Sequence, residues 1–184
     1  MRTTFFALIV MLLLGGCAGS GNYFILSNPS QPAQVRQMHT SIGVETVTVP
    51  KYLFKRDIAV AKSSNRIVFL SGAQWAEEMD EGLTRRIVTY LQRALRNPDV
   101  HAYPWDVEQQ PKRILKIAIS RFIAQGGRVY LDASWSIEDT QSGCTASHLF
   151  STNVETEGSN AEQIVSAMDR AFGRFEAVLA KSLK

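Results

Sequence analysis

The chain has 184 residues and a formal charge of +3, from 20 Lys plus Arg against 17 Asp plus Glu. This size supports one domain with a real hydrophobic core and no need of metal or disulfide staples. So small a charge excess, without clustered Lys and Arg beside exposed aromatics, argues against a nucleic-acid partner.

Met1–Cys17 reads MRTTFFALIVMLLLGGC. A single basic residue, Arg2, precedes a ten-residue apolar run, Phe5–Leu14, and then Gly15-Gly16-Cys17. This is the layout of a secretory signal. Its apolar run is too short to span a membrane as a helix, which takes about 20 residues. The cysteine placed directly after Leu14-Gly15-Gly16 resembles the lipobox of bacterial lipoproteins. That resemblance implies removal of residues 1–16 and attachment of diacylglycerol and an N-acyl chain, palmitate being typical, to Cys17. Residues 17–22 then form a lipidated cysteine and flexible tether, and residues 23–184 a single α+β domain. With Cys17 acylated, Cys144 has no partner in its own chain. It is then either buried, the commoner arrangement, or open to another molecule.

Tyr23–Leu26 reads as a short strand, and Ser27–Thr40, with Pro29 and Pro32, as a loop. Ile42–Val49 is a β-branched strand stopped by Pro50. Its apolar phase shifts between Ile42/Val44 and Val47/Val49. Either both faces are covered or a bulge near Glu45 resets the register. Asp57–Ala61 and Arg66–Leu70 flank Lys62-Ser63-Ser64-Asn65, a hairpin turn.

Glu77–Asn97 is expected to be helical. Met79, Leu83, Ile87, Tyr90, Leu91, Ala94 and Leu95 make one stripe. Glu77, Glu78, Asp80 and Glu81 at its start complement the helix dipole, which accounts for the acidic cluster better than a cation site does. Val100–Tyr103 is a short strand before Pro104-Trp105. Ile114–Phe122 and Val129–Ile137 alternate with period two about a Gly126-Gly127 turn and form a second hairpin. Thr145–Val154 continues the meander. Ser159–Leu183 is the second helix, with Ser159 and Glu162 fitting a capping box. Its stripe is Ile164, Val165, Met168, Ala171, Phe172, Phe175, Leu179 and Leu183. The predicted fold class is α+β, a mainly antiparallel sheet with two amphipathic helices packed on one face. A parallel edge pairing beside the first helix crossover stays open.

Chemistry is sparse. His39, His101 and His148 are far apart and lack ligand spacing, so no metal and no cofactor are expected. No nucleophile elbow or phosphate loop is present, and Cys144 has no adjacent base. The chain is therefore read as non-enzymatic. Tyr103 and Trp105, flanking Pro104, form either an exposed partner contact or a core corner.

Specific stretches resemble the PqiC-type (ABC-type transport auxiliary) lipoproteins. They are the lipobox, Asn22-Tyr23-Phe24, Val47-Thr48-Val49-Pro50-Lys51-Tyr52-Leu53, and Trp75-Ala76-Glu77-Glu78-Met79. Val100–Trp105, Leu115–Phe122 with Gly127-Arg128-Val129 and Trp135, and the Met168-bearing helix also match. Glu78 departs from the pattern, where the family often has proline. The resemblance implies a lipoprotein anchored in the outer membrane and facing the periplasm. It would work with an MCE-domain protein and an inner-membrane transporter component, in lipid transport and membrane integrity. The family brings no catalytic residues. Ala18 after the cysteine fits outer-membrane delivery. The adaptor reading also leads to the expectation of a homo-oligomeric ring. A lipid-binding carrier is the alternative.

Overall fold

The computed structural model describes residues 21–27 and 39–183. Cys17 and the signal-like stretch lie outside the described residues. The strands are β1 (Asn22–Phe24), β2 (Ile42–Val44), β3 (Asp57–Ser63), β4 (Arg66–Trp75), β5 (Val100–Ala102), β6 (Arg113–Gln125), β7 (Arg128–Asp139) and β8 (Thr145–Glu155). The helices are α1 (Met79–Ala94) and α2 (Ala161–Ser182), with 3-10 turns at Lys51–Phe54 and Val107–Gln109.

All eight strands join one sheet, and β6 is its hub. One edge of β6 pairs with β7 along its whole length, and β7 with β8, all antiparallel. The other edge is shared end to end: β2 lies beside residues 113–115 and β3 beside residues 124–125, both parallel. Beyond β2 lies β5, also parallel. Beyond β3 lies β4, antiparallel, and beyond that β1, parallel to β4. The sheet is therefore mixed, which corrects the expectation of a mainly antiparallel one. The reason is non-local. Hairpins are specified by their turns, but β1, β2 and β5 reach neighbours distant in sequence and enter in the parallel sense.

Backbone hydrogen bonds explain the phase shift after β2. The Glu45 amide donates to the Leu115 carbonyl, and the Thr48 amide to that of Ile117. Between them Val47 turns its amide to Thr84 Oγ1 on α1, 2.9 Å away. The extra residue lets both Val44 and Val47 face the core, so the bulge alternative holds. A second irregularity, between Ile119 and Arg121, reverses the facing of β6. Leu115, Ile117 and Ile119 point inward before it, and Phe122 and Ala124 after it.

Both helices cover the same face. The predicted stripes of α1 and α2 are buried throughout and merge with the inward side chains of β6 and β7 into one core. Phe172, Phe175, Phe150 and Trp135 form an aromatic chain inside it, with centroids 5.5–5.7 Å apart. Helix α1 starts after Glu78, with Asp80 and Glu81 in its first turn, in keeping with the dipole reading. The cap of α2 is one residue later than expected. Asn160, not Ser159, accepts the amide of Gln163 at 2.9 Å, which does the same work with an equivalent capping side chain. No helix among the described residues is long and apolar enough to cross a membrane.

Candidate functional site

The segment after β5 makes the first candidate surface. The Tyr103 amide donates to the Val44 carbonyl, which fixes where the chain leaves the sheet. A cis peptide joins Tyr103 to Pro104. Tyr103 is exposed and Trp105 half-buried, and their rings meet edge to face at 5.2 Å. Trp105 and Pro111 lie on Gly43. A Cβ there would come within 2.5 Å of Pro111 Cγ and 2.8 Å of the indole, so only glycine permits the approach. The result is a cleft of about 580 Å³ lined by Ser41, Asp99, His101, Trp105, Asp106 and Gln109, among others. Neither residue forms a core corner: Tyr103 is exposed, and Trp105 lies half-buried over Gly43 outside the main core.

Among the described residues this cleft holds no reactive constellation. His101 Nε2 lies 3.1 Å from Asp99, both exposed. Ser41 Oγ accepts the Lys112 amide at 3.0 Å, which gives the hydroxyl a structural task. His148 stacks on Trp135 at 4.9 Å. Among the described residues no group of three His, Cys, Asp or Glu could hold a metal ion. Cys144 is exposed, which corrects the expectation of burial. It sits in the turn before β8, where its carbonyl accepts the Asp139 amide and its own amide meets Ser142 Oγ. The backbone is used and the side chain is left outside. The hydroxyl and amide groups around Asp139 hold its carboxylate below the usual range.

The second candidate surface is β8. Among the described residues this strand pairs with β7 alone, so its outer edge lacks a further strand, and only toward its end do Arg174 and Arg170 of α2 donate to the carbonyls of Asn153 and Glu155. From Thr145 to Val154 it carries no Lys, Arg, Asp, Glu or Pro, the usual devices that blunt an edge. Leu149 is 85% exposed. Beside it the outer face of β6 and β7 forms a shallow depression lined by Glu45, Thr48, Lys116, Ser134 and Ser147. Lys116 sits between Glu45 and Glu138 at 3.6 and 3.1 Å, and these partners raise its pKa.

One polar cluster escaped the sequence reading. Arg86 on α1 is buried and donates through Nε and Nη2 to both carboxylate oxygens of Glu176 on α2, at 3.1 Å each. It also pairs with Asp169, and its guanidinium lies 5.2 Å from the Phe172 ring centre. Asp169 in turn accepts the amide of Ser27 at 3.0 Å. Burial pushes Glu176 up to about 7, outweighing the pull of Arg86. The cluster bolts α1 to α2 and ties down the chain after β1. A signal was present: Arg86 falls three residues after Leu83, and Glu176 four after Phe172, so both occupy stripe positions.

The chain resembles two solved structures in fold. One is an uncharacterized protein, with TM-score 0.75 and 19% identity over 90% of this chain and 99% of that one. The other is protein XCC0632 from Xanthomonas campestris, with TM-score 0.75 and 14% identity over 86% and 92%. No curated protein matches. The model of the family described as "ABC-type transport auxiliary lipoprotein component" matches residues 24–180, and the chain belongs to that family.

Proposed function

We propose that the chain is a non-enzymatic lipoprotein subunit of an MCE-type envelope lipid-transport system. In this reading acyl chains on Cys17 tether it to the outer membrane, and the domain docks a periplasm-spanning MCE-domain partner. Family membership supports the coarser part, an auxiliary lipoprotein of a transport system. The observation that carries the docking role is the outer edge of β8 from Thr145 to Thr152, which pairs with no further strand among the described residues and carries no charged residue. An extended segment of a partner can add to such an edge through main-chain hydrogen bonds. Exposed Leu149 and the adjoining depression then offer side-chain contacts. The carrier alternative fares less well. Both clefts are open to the surface, and neither is an enclosed apolar cavity of the kind that holds an acyl chain. Anchoring makes even a weak docking contact effective, because confinement to a plane raises local concentration.

Cys17→Ala in the full chain tests the tether. The variant is expected to fold with an unchanged melting curve, to leave the membrane fraction, and to lose its partner from envelope pull-downs. A Cys17→Ala chain that still sediments with membranes contradicts the anchor.

A further inference from the structure

We infer that the flank built by β1, β4 and β3 is a membrane-contact face, which lays the domain against the phospholipid surface that holds its anchor. The inference rests on the proposed acylation of Cys17. Among the described residues eight large apolar side chains are exposed, and five of them belong to this flank or adjoin it: Tyr23, Ile67 and Phe69 on its strands, Ile25 just after β1 and Phe54 in the turn before β3. Register places three of the five on one side. Ala59 opposes Phe69, Ala61 opposes Ile67, and Asp57 opposes Gln74, which neighbours Tyr23. The side chains of Tyr23, Phe69 and Ile67 therefore share the face opposite the helices.

Tether length selects the occupant. Four residues separate Cys17 from Asn22, so the acylated sulfur's Cα lies within about 18 Å of that of Asn22 even if fully extended. Because β1 runs parallel to β4, with Asn22 beside Ala73, the chain enters β1 from the side of Phe69 and Ile67. The bilayer surface is thus held within reach of these side chains whatever else the domain binds.

Charge agrees with that occupant. Lys55 places its ammonium 4.9 Å above the Phe69 ring, and Lys62 and Arg66 border the hairpin turn. Asp57, an acid on the same face, is bound to the Gln74 amide at 3.0 Å. A tyrosine and apolar side chains rimmed by Lys and Arg match the headgroup boundary of an anionic bilayer. There aromatic rings settle at the interface and long cationic stems reach phosphates.

The test uses the lipidated protein in vesicles of phosphatidylethanolamine and phosphatidylglycerol, with Cys144→Ser as background. Spin labels are attached at Ile67→Cys or, on the far edge of the sheet, Leu149→Cys. Acylation leaves no thiol at Cys17 to compete. The expected result is a label at 67 severalfold less accessible to a water-soluble nickel chelate than the label at 149, and more accessible to oxygen. In the triple variant Lys55→Glu/Lys62→Glu/Arg66→Glu that contrast should shrink. Equal wetting of both labels on a chain of acylated mass overturns the inference while leaving the anchor intact. A chain without acyl mass overturns the anchor reading and this inference together. Protection at 67 that arises only on adding a partner protein assigns the flank to a protein contact and also overturns it.

Discussion

Phe175→Asp is expected to abolish cooperative unfolding of the domain. Phe175 is fully buried and is the junction of the aromatic chain, touching Trp135, Phe150 and Phe172. Removing a buried phenylalanine ring costs about 3–5 kcal/mol. An unpaired carboxylate in the same place adds several more, unless it takes up a proton at a further cost. Together these approach or exceed the roughly 5–15 kcal/mol by which a domain of this kind is stable. Leu83→Asp applies the same test to α1, where the side chain is also fully buried. Loss of the near-ultraviolet circular dichroism signal and of a sigmoidal melt would be the readout. A variant that melts like the parent would show that the helix stripes do not form the core.

Arg86→Leu is expected to cost about 3–5 kcal/mol, because it strands a buried carboxylate. Glu176 is 1% exposed and has Arg86 as its charged hydrogen-bond partner. The double variant Arg86→Leu/Glu176→Leu should recover most of that loss, since two apolar side chains fill the space without an unpaired charge. The same pair sets a pH dependence. Burial raises Glu176 from an ordinary 4.5 to about 7, so between these values the folded chain binds more protons than the unfolded one. The contribution of this group to stability is complete below about pH 4.5 and is lost as pH rises through about 7. Its size is on the order of 3 kcal/mol. Urea titrations at pH 5 and pH 8 should therefore show parent protein losing more stability than Glu176→Gln over that interval. An identical change in both chains would contradict the assignment.

Elements whose signal is local were legible in the sequence. The stripes of α1 and α2, the alternation along β7 and that along β6 as far as Ile119 recur in the structure, because each pattern reports a single interface with the core, whereas the irregularity before Arg121 breaks the period in β6. The hairpin at Gly126-Gly127 was legible for a similar reason: both glycines have positive φ, 57° and 77°, as a tight turn demands. Partner choice among short strands was not. Three residues of β2 or β5 carry too little pattern to name a neighbour, and the parallel pairings depend on where distant elements come to rest. Arg86 and Glu176 show a second limit. Their positions on the stripes were visible, but charged residues are rarely buried unless paired, and the pair lies 90 residues apart. Cys144 shows a third. Burial is the commoner state of cysteine, yet the turn it occupies needs only its backbone.

The surfaces follow the same division. Tyr103 and Trp105 stood out because aromatics flank a proline. The open edge of β8 could not, since an edge is a property of the whole sheet and not of one strand.

The most direct measurement places a photo-activatable side chain at Leu149, on β8, in the full-length protein expressed in its own cells. One dominant adduct is expected, with an MCE-domain envelope protein, and it should disappear when Cys17→Ala removes the tether. A reporter at Leu149 that yields no protein adduct, while one elsewhere on the domain captures that partner, would contradict docking at β8.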